Sequence, residues 1–148
     1  MITGLTPRLV AFWSWVGSAT KQAFTGGFTA KAGDFITFTV TATSPTSGSV
    51  TVVNTNSNPT SASSGALVNY PALCLATAEW IVNQNLPTNF FPLANFTQVK
   101  FTGASATKID GTVVGPNNSG SVLVNVLTNG TILTSVSDDQ SSVTVNYV

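Results

Sequence analysis

The stretch Phe35-Ile36-Thr37-Phe38-Thr39-Val40-Thr41-Ala42-Thr43 decides the fold, because after Phe35 apolar side chains alternate with threonines. A period of two places Ile36, Phe38, Val40 and Ala42 on one face of a β-strand and the threonines on the other. This is the pattern of a half-buried antiparallel strand, and it does not fit the 3.6-residue period of a helix.

A turn follows this stretch at once. Ser44-Pro45-Thr46-Ser47-Gly48 contains a proline that fixes φ and a glycine that tolerates positive φ, and it leads into the alternating run Ser49–Asn54. The two runs therefore predict a β-hairpin. The polar stretch Thr55–Gly65 is expected to be a loop with a weak strand near its end.

Alternating or apolar runs recur along the rest of the chain. Two of them, Val122–Leu127 and Ile132–Val136, flank Asn129-Gly130, which is the most specific hairpin signal. Asn129-Gly130 and Asp110-Gly111 are dipeptides typical of type I′ turns. The connection 83–95, which contains Pro87 and Pro92, is long enough for a crossover. The further predicted strands are Leu9–Val16, Ala76–Val82, Phe96–Thr102, Val122–Leu127, Ile132–Val136 and Ser142–Val148. The first of them also has the outline of a short signal peptide, although its two tryptophans argue against that interpretation. With no convincing helix, we expect an all-β, antiparallel β-sandwich that forms one domain over residues 1–148.

Composition narrows the possible functions. Only 7% of the 148 residues are charged, and five basic residues balance five acidic ones. No basic stripe exists to follow a phosphate backbone, so we expect no nucleic-acid partner. No apolar run reaches the length of a transmembrane helix, so we expect no membrane partner. Few carboxylates also predict tolerance of low pH, because acid denaturation acts mainly through them.

The chain contains no histidine and one cysteine, Cys74. It therefore cannot build a Ser-His or Cys-His nucleophile or a structural zinc site of the usual ligands. Cys74 has no disulfide partner, and its apolar context predicts a small buried hydrophobe. If this protein catalyses a reaction, a carboxylate must carry it.

Glu79 is the only glutamate, and it lies in the strand-like run Ala76–Val82. Alternation places it on one face with Ile81, while Trp80 points to the other face. The four aspartates, Asp34, Asp110, Asp138 and Asp139, lie in turn contexts instead. Spacing alone favours a solvated surface glutamate, since charged residues are mostly exposed. Glu79 nevertheless has the setting of a catalytic acid.

Two other features relate to carbohydrate: one is a set of tryptophans that could bind glycans, and the other is a set of asparagines that could be glycosylated. Trp13, Trp15 and Trp80 could form a stacking platform for glycans, although packing in the core is the simpler interpretation. Three sequons for N-glycosylation begin at Asn95, Asn117 and Asn129. A chain so rich in Asn, Ser and Thr would contain about three by chance, so their presence decides little.

The sequence blocks have a recognisable order. Thr77-Ala78-Glu79-Trp80-Ile81-Val82 is followed by Phe91–Phe96 and by Val99-Lys100-Phe101-Thr102. Upstream lie a W-x-W run within Leu9–Trp15 and the block from Ala32-Gly33-Asp34 to Ser44. Together with Leu133–Tyr147, these blocks resemble the fungal glutamic peptidases, the eqolisin or peptidase G1 family, formerly peptidase A4. The resemblance covers the chain from about Leu9 onwards.

The resemblance implies a concanavalin-A-like sandwich of two bent sheets and a usually secreted endopeptidase that acts on proteins or peptides at acidic pH. It implies no metal or other cofactor. The family's catalytic pair is a Glu and a Gln, and the Glu maps onto Glu79. The carboxylate would take a proton from the attacking water, and the Gln amide would stabilise the oxyanion.

The chain departs from the family pattern in one respect. The family's Gln precedes the W-x-W strand, and none of Gln22, Gln84, Gln98 and Gln140 occupies a matching position. We therefore expect the C-terminal two thirds of the domain, without the N-terminal strands. The alternatives are a catalytically silent β-sandwich that binds glycans or a protein partner, and a chain with no stable fold.

Overall fold

The computed structural model describes residues 11–16, 21–24, 28–57, 61–67, 70–82, 93 and 95–148. These residues form strands, turns and irregular segments, and every strand pair among them is antiparallel. The predicted all-β class with antiparallel pairing is confirmed. Within the described ranges, no helix is long and apolar enough to cross a membrane.

The chain forms two compact units, Met1–Thr77 and Ala78–Val148. The single domain expected over residues 1–148 stays a prediction.

The first unit is built on a three-stranded sheet in the order β3-β4-β5. Its strands are β3 (Ile36–Ser44), β4 (Ser47–Asn54) and β5 (Ser61–Leu67). Pro45 and Thr46 form the turn between β3 and β4, so the predicted hairpin is confirmed. The strand predicted near the end of the polar stretch Thr55–Gly65 is present as β5, which begins at Ser61. The short strands β1 (Phe12–Trp13) and β2 (Gln22–Ala23) pair with each other.

The prediction that the apolar face of β3 is buried is wrong. Phe38 and Val40 are 62% and 76% exposed, whereas their cross-strand partners on β4, Val52 and Val50, are buried. The central strand β4 has a neighbour on each side, while β3 lies at the edge of the sheet. The side chain of Trp13 reaches the same sheet at Gly65 of β5, where an added Cβ would lie 2.7 Å from the indole nitrogen. The core of this unit therefore centres on β4.

The second unit contains a three-stranded sheet in the order β11-β12-β6. Its strands are β6 (Gln98–Thr102), β11 (Thr134–Asp138) and β12 (Ser142–Tyr147). Val143 and Val145 of the central strand are 5% and 3% exposed and form its core. The strands predicted from the runs 96–102, 132–136 and 142–148 are thus confirmed, with shorter or shifted bounds.

The strongest hairpin signal also agrees with the structure. β9 (Leu127–Thr128) and β10 (Thr131–Ile132) pair around Asn129 and Gly130, whose φ angles of 50° and 79° are both positive, as a type I′ turn requires. The strand predicted over Val122–Leu127 is wrong, because only its last residue, Leu127, belongs to a strand. Side chains bind this segment beside a single backbone bond from the Leu133 amide to the Val126 carbonyl: the Val126 amide donates to Thr134 Oγ1, and the Val136 amide donates to Asn125 Oδ1.

The second hairpin has a different turn from the predicted one. β7 (Ala106–Thr107) pairs with β8 (Val113–Val114), but only Gly111 of the Asp110-Gly111 dipeptide has a positive φ. A type I′ turn needs positive φ at both central residues, so the predicted turn type is wrong. The Asp110 carboxylate instead accepts a 2.8 Å hydrogen bond from the Thr112 amide.

No strand is present in the described segment 70–82, so the strand predicted over Ala76–Val82 is wrong. A strand exists only where a second strand pairs with it, and alternation alone cannot supply that partner. Leu75, with φ of 51°, also interrupts extended backbone just before the run. The crossover predicted for 83–95 lies almost entirely outside the described residues. Of the predicted strand Leu9–Val16, residues 9 and 10 lie outside them, and only Phe12–Trp13 forms a strand.

Candidate active site

An aromatic cluster of Trp13, Trp15 and Tyr70 fixes the segment that leads to Glu79. Tyr70 stacks on Trp15 at 5.3 Å between ring centroids and meets Trp13 edge-on at 6.4 Å. Gln22 Nε2 donates a 3.0 Å hydrogen bond to the Tyr70 hydroxyl, and Trp15 Nε1 donates a 2.6 Å hydrogen bond to the Pro71 carbonyl. Both tryptophans of the W-x-W run therefore pack against one tyrosine.

The turn of the β3–β4 hairpin holds the same segment from another direction. The Tyr70 amide donates to the Thr46 carbonyl, and the Leu73 amide donates to the Pro45 carbonyl at 2.8 Å. These bonds give a segment without strand pairing its own backbone partners. The chain is thus anchored six residues before Glu79.

Glu79 is exposed, and its carboxylate makes no hydrogen bond to the described residues. The residues 74–79 are all exposed, and only beyond Glu79 does burial alternate: Ile81 is exposed, while Trp80 and Val82 are half-buried. Ala78 is exposed as well, so the predicted division of side chains between two faces stays a prediction. The carboxylate is free to meet water or a ligand.

Two aspartates use their oxygens to close turns. Asp34 Oδ2 accepts hydrogen bonds from the Lys31 amide at 3.0 Å and from Asn54 Nδ2 at 2.7 Å. The Lys31 amide, followed by Asn54, lowers the pKa of the Asp34 carboxyl. Similarly, the Thr112 amide lowers the pKa of Asp110.

Asp139 is engaged in the same way. Its carboxylate accepts hydrogen bonds from the Ser142 hydroxyl at 2.6 Å and from the Ser141 and Ser142 amides. The Ser142 hydroxyl, then the Ser141 amide, lowers the pKa of Asp139, and the positive charge of Lys100 adds a smaller effect. A carboxylate with a lowered pKa is a weaker base. Only Glu79 and Asp138, the half-buried last residue of β11, have carboxylates without hydrogen bonds in the described part of the chain.

The tryptophans serve packing more than recognition. Trp15 is 6% exposed, and its indole nitrogen is occupied by Pro71. Core packing is therefore confirmed for Trp15, while Trp13 and Trp80 are half-buried.

Cys74 is exposed, so its expected burial is wrong. The segment 71–79 lies on the surface, apart from half-buried Leu73, which explains the exposure of the thiol.

No group of three or more His, Cys, Asp and Glu side chains among the described residues could hold a metal ion. The candidate site therefore consists of Glu79, whose carboxylate has no hydrogen-bond partner among the described residues, next to half-buried Trp80 in the sequence.

The profile of the Peptidase A4 family matches residues 4–147. The chain belongs to the Peptidase A4 family. Aspergillopepsin-2 of Aspergillus niger is 40% identical to it over 123 residues, which are 81% of this chain and 42% of that protein. Scytalidopepsin B of Scytalidium lignicola is 30% identical over 161 aligned residues, which cover 97% of this chain and 61% of that protein. The chain thus spans about half the length of these curated relatives.

Solved Peptidase A4 structures share the fold. The aspergilloglutamic peptidase of Aspergillus niger superimposes with a TM-score of 0.80 at 34% identity, over 94% of this chain and 79% of that one. Scytalido-glutamic peptidase, solved with a transition state analog inhibitor, gives a TM-score of 0.78 at 31% identity, over 94% of this chain and 69% of that one. The resemblance inferred from the sequence blocks is confirmed.

The catalytic glutamine that the sequence resemblance implies as a partner of Glu79 matches none of the glutamines in the described residues. The side-chain amides of Gln22 and Gln98 donate to Tyr70 and to Asn146, the latter at 2.9 Å. Gln140 lines an open depression of about 270 Å³ to which Glu79 does not contribute. Gln84 lies outside the described residues.

The sequence did not indicate that Tyr70 packs against both tryptophans of the W-x-W run. The residues that bond its hydroxyl and the neighbouring Pro71 carbonyl, Gln22 and Trp15, lie 48 and 56 positions away in the chain. Such long-range partners leave no local pattern. The only available signal was an aromatic residue directly before Pro71.

Proposed function

We propose that this member of the Peptidase A4 family is a glutamic-type endopeptidase that hydrolyses peptide bonds of protein or peptide substrates at acidic pH, with Glu79 as the general base. The observation that carries the proposal is the state of Glu79. It lies in the family's A-E-W-I-V block, and its exposed carboxylate is bound to no described residue. By the same family membership, we propose that the protein is secreted.

The mechanism follows from the chemistry of one carboxylate. The Glu79 carboxylate accepts a proton from a water molecule as the water oxygen attacks the peptide carbonyl carbon. The tetrahedral intermediate then collapses, and the protonated carboxyl returns the proton to the leaving amine. The cycle restores the carboxylate and consumes one water molecule.

Charge develops on the carbonyl oxygen during the attack, and a hydrogen-bond donor must meet it. In the family a glutamine amide fills this role. The side-chain amides of Gln22 and Gln98 donate to Tyr70 and Asn146. We therefore assign Glu79 as the base and give these two glutamines structural roles.

The test is cleavage of an unfolded protein substrate by the purified chain between pH 2 and pH 6. Glu79→Gln keeps the shape of the side chain but removes the base, so we expect a loss of at least about 100-fold in kcat/KM, in the range that general-base catalysis contributes. Asp138→Asn is the matched control, because Asp138 is the other carboxylate without a described hydrogen bond. Asp138→Asn and Cys74→Ser are expected to keep the parent's activity.

Equal cleavage by the parent and Glu79→Gln would refute the role of Glu79. Absence of cleavage by the parent would refute the proposed activity of this chain. The burial of Trp15 and its bond to Pro71 leave little of the W-x-W pair free for stacking, so nothing in the structure favours the glycan-binding alternative.

A further inference from the structure

The three sequons of this chain occupy different positions in the fold, and only one of these positions leaves room for an attached oligosaccharide without disturbing described contacts. Asn95, Asn117 and Asn129 are all exposed. Exposure alone does not distinguish them, because an oligosaccharide attached to an unfolded chain must also be accommodated once the chain folds. The surroundings of each sequon decide how easily that happens.

The sequon at Asn95 is tied into the sheet of the second unit. Asn95 Oδ1 accepts a hydrogen bond from the Thr97 amide, and the Thr97 carbonyl accepts one from the Tyr147 amide. Phe96, the middle residue of the sequon, packs edge-on against Tyr147 at 5.9 Å. An oligosaccharide on Asn95 would therefore sit beside contacts that hold β6 and β12 together.

The sequon at Asn117 lies in a loop closed by its own polar groups. Asn118 Oδ1 accepts a hydrogen bond from the Ser119 amide, and the Asn118 amide donates to Ser121 Oγ. Asn117 also lines the open depression that contains Gln140. Asn117 itself makes no described hydrogen bond, but an oligosaccharide on it would crowd the polar groups that close this loop.

The sequon at Asn129 has none of these constraints. Asn129 is the first central residue of the type I′ turn between β9 and β10, and neither its side chain nor that of Thr131 hydrogen-bonds within the described part of the chain. The turn is made by residues 128–131 alone, so the hairpin forms without any contact that an oligosaccharide could block. The side chain extends from the tip of a hairpin.

We infer that Asn129 is an acceptor site for an N-linked oligosaccharide. The donor is a lipid-linked oligosaccharide pyrophosphate. A bond forms between Asn129 Nδ2 and the anomeric carbon of the first sugar, the bond from that carbon to the pyrophosphate oxygen breaks, and the amide loses one proton as the lipid pyrophosphate leaves. The inference rests on the proposed secretion, because the donor is found in the secretory pathway.

The site also has a physical use. Leu127 and Ile132, a cross-strand pair next to the turn, are 58% and 52% exposed. A hydrated oligosaccharide two residues from Leu127 would separate this apolar pair from other protein molecules. Exposed apolar strands are a recognised route to aggregation.

The experiment directs the chain, carrying Glu79→Gln, through the secretory pathway of a fungal host and locates oligosaccharides by peptide mass spectrometry. The Glu79→Gln background removes the proposed activity, so occupancy is measured independently of proteolysis. Enzymatic release of the oligosaccharide in heavy-oxygen water labels the attachment site. The label also separates a true site from spontaneous deamidation of Asn129-Gly130.

Three variants each remove one sequon. Thr131→Val keeps Asn129, Gly130 and a β-branched residue in β10, and it is expected to abolish the modification. Thr97→Ala and Ser119→Ala are expected to leave it intact. An unmodified Asn129, or a modification that survives Thr131→Val, would overturn the inference, whereas inactivity of the parent towards protein substrates would bear only on the proposed function.

Discussion

At the scale of single residues, Asn54 is the most heavily bonded buried side chain described. It is 1% exposed, and its amide nitrogen donates to the Thr29 carbonyl at 2.9 Å and to Asp34 at 2.7 Å. Its amide oxygen accepts from the Asn56 backbone at 2.9 Å. One side chain thus joins the end of β4 to the turn that precedes β3.

Replacement of Asn54 by alanine should therefore destabilise the first unit. The change leaves buried polar groups without partners, and we expect a loss of about 2 kcal/mol in the free energy of unfolding. Urea denaturation measures it. Asn117→Ala, at an exposed residue without a described hydrogen bond, is the matched control and should change stability by less than about 0.5 kcal/mol. Equal losses in both variants would contradict the role of Asn54.

The sequence indicated Glu79 but not Asn54, for a physical reason. Glu79 is a candidate by composition, since it is the only glutamate of a chain without histidine. The importance of Asn54 depends on partners 20 and 25 residues away, which only the folded chain brings together. The turn role of Asp139 was predictable because its bonding partners lie three or fewer residues away.

At the scale of elements, turns were predicted better than burial. Asn129-Gly130 determines its turn locally, since φ must be positive at both residues. Burial of a strand face depends on which neighbours cover it, and β3 at the sheet edge lacks the cover that its alternation suggested. The run around Glu79 failed as a strand for the related reason that no described strand pairs with it.

The cross-strand pair Phe38 and Val52 allows this difference to be measured. Val52 is fully buried, so Val52→Ala should cost about 2 kcal/mol through lost apolar burial and the resulting cavity. Phe38 is 62% exposed, so Phe38→Ala should cost less than half as much, although it removes the larger side chain. Thermal or urea denaturation of both variants tests this. An equal or larger loss at Phe38 would show that its face is covered in solution.

At the scale of the whole molecule, the sequence predicted the fold class and the family, because both depend on patterns that span the chain. It did not predict how much apolar surface stays open. Val122, Val124 and Ile109 are all more than 70% exposed, alongside Val40. Alternation indicates which residues share a face, but the packing of one element on another is a property of the assembled fold.

The charge distribution of the whole chain predicts its response to acid. No histidine titrates between pH 5 and pH 8, and the Asp34, Asp110 and Asp139 carboxyls have pKa values below their ordinary 3.8 because turn amides and hydroxyls bind the charged form. A lowered pKa in the folded state stabilises the protein above the unfolded value, and this contribution is lost as the pH falls through the folded value. The melting temperature should therefore stay nearly constant from pH 7 to about pH 5 and decrease only below about pH 4. A variant that combines Asp34→Asn, Asp110→Asn and Asp139→Asn should have a lower melting temperature at pH 7 and a smaller decrease of that temperature in acid. The control is Lys108→Gln, which also changes the net charge. Its melting temperature should depend on pH in the same way as that of the parent. A steep decrease of the parent between pH 7 and pH 5 would contradict this account, because no described carboxylate with a lowered pKa titrates there.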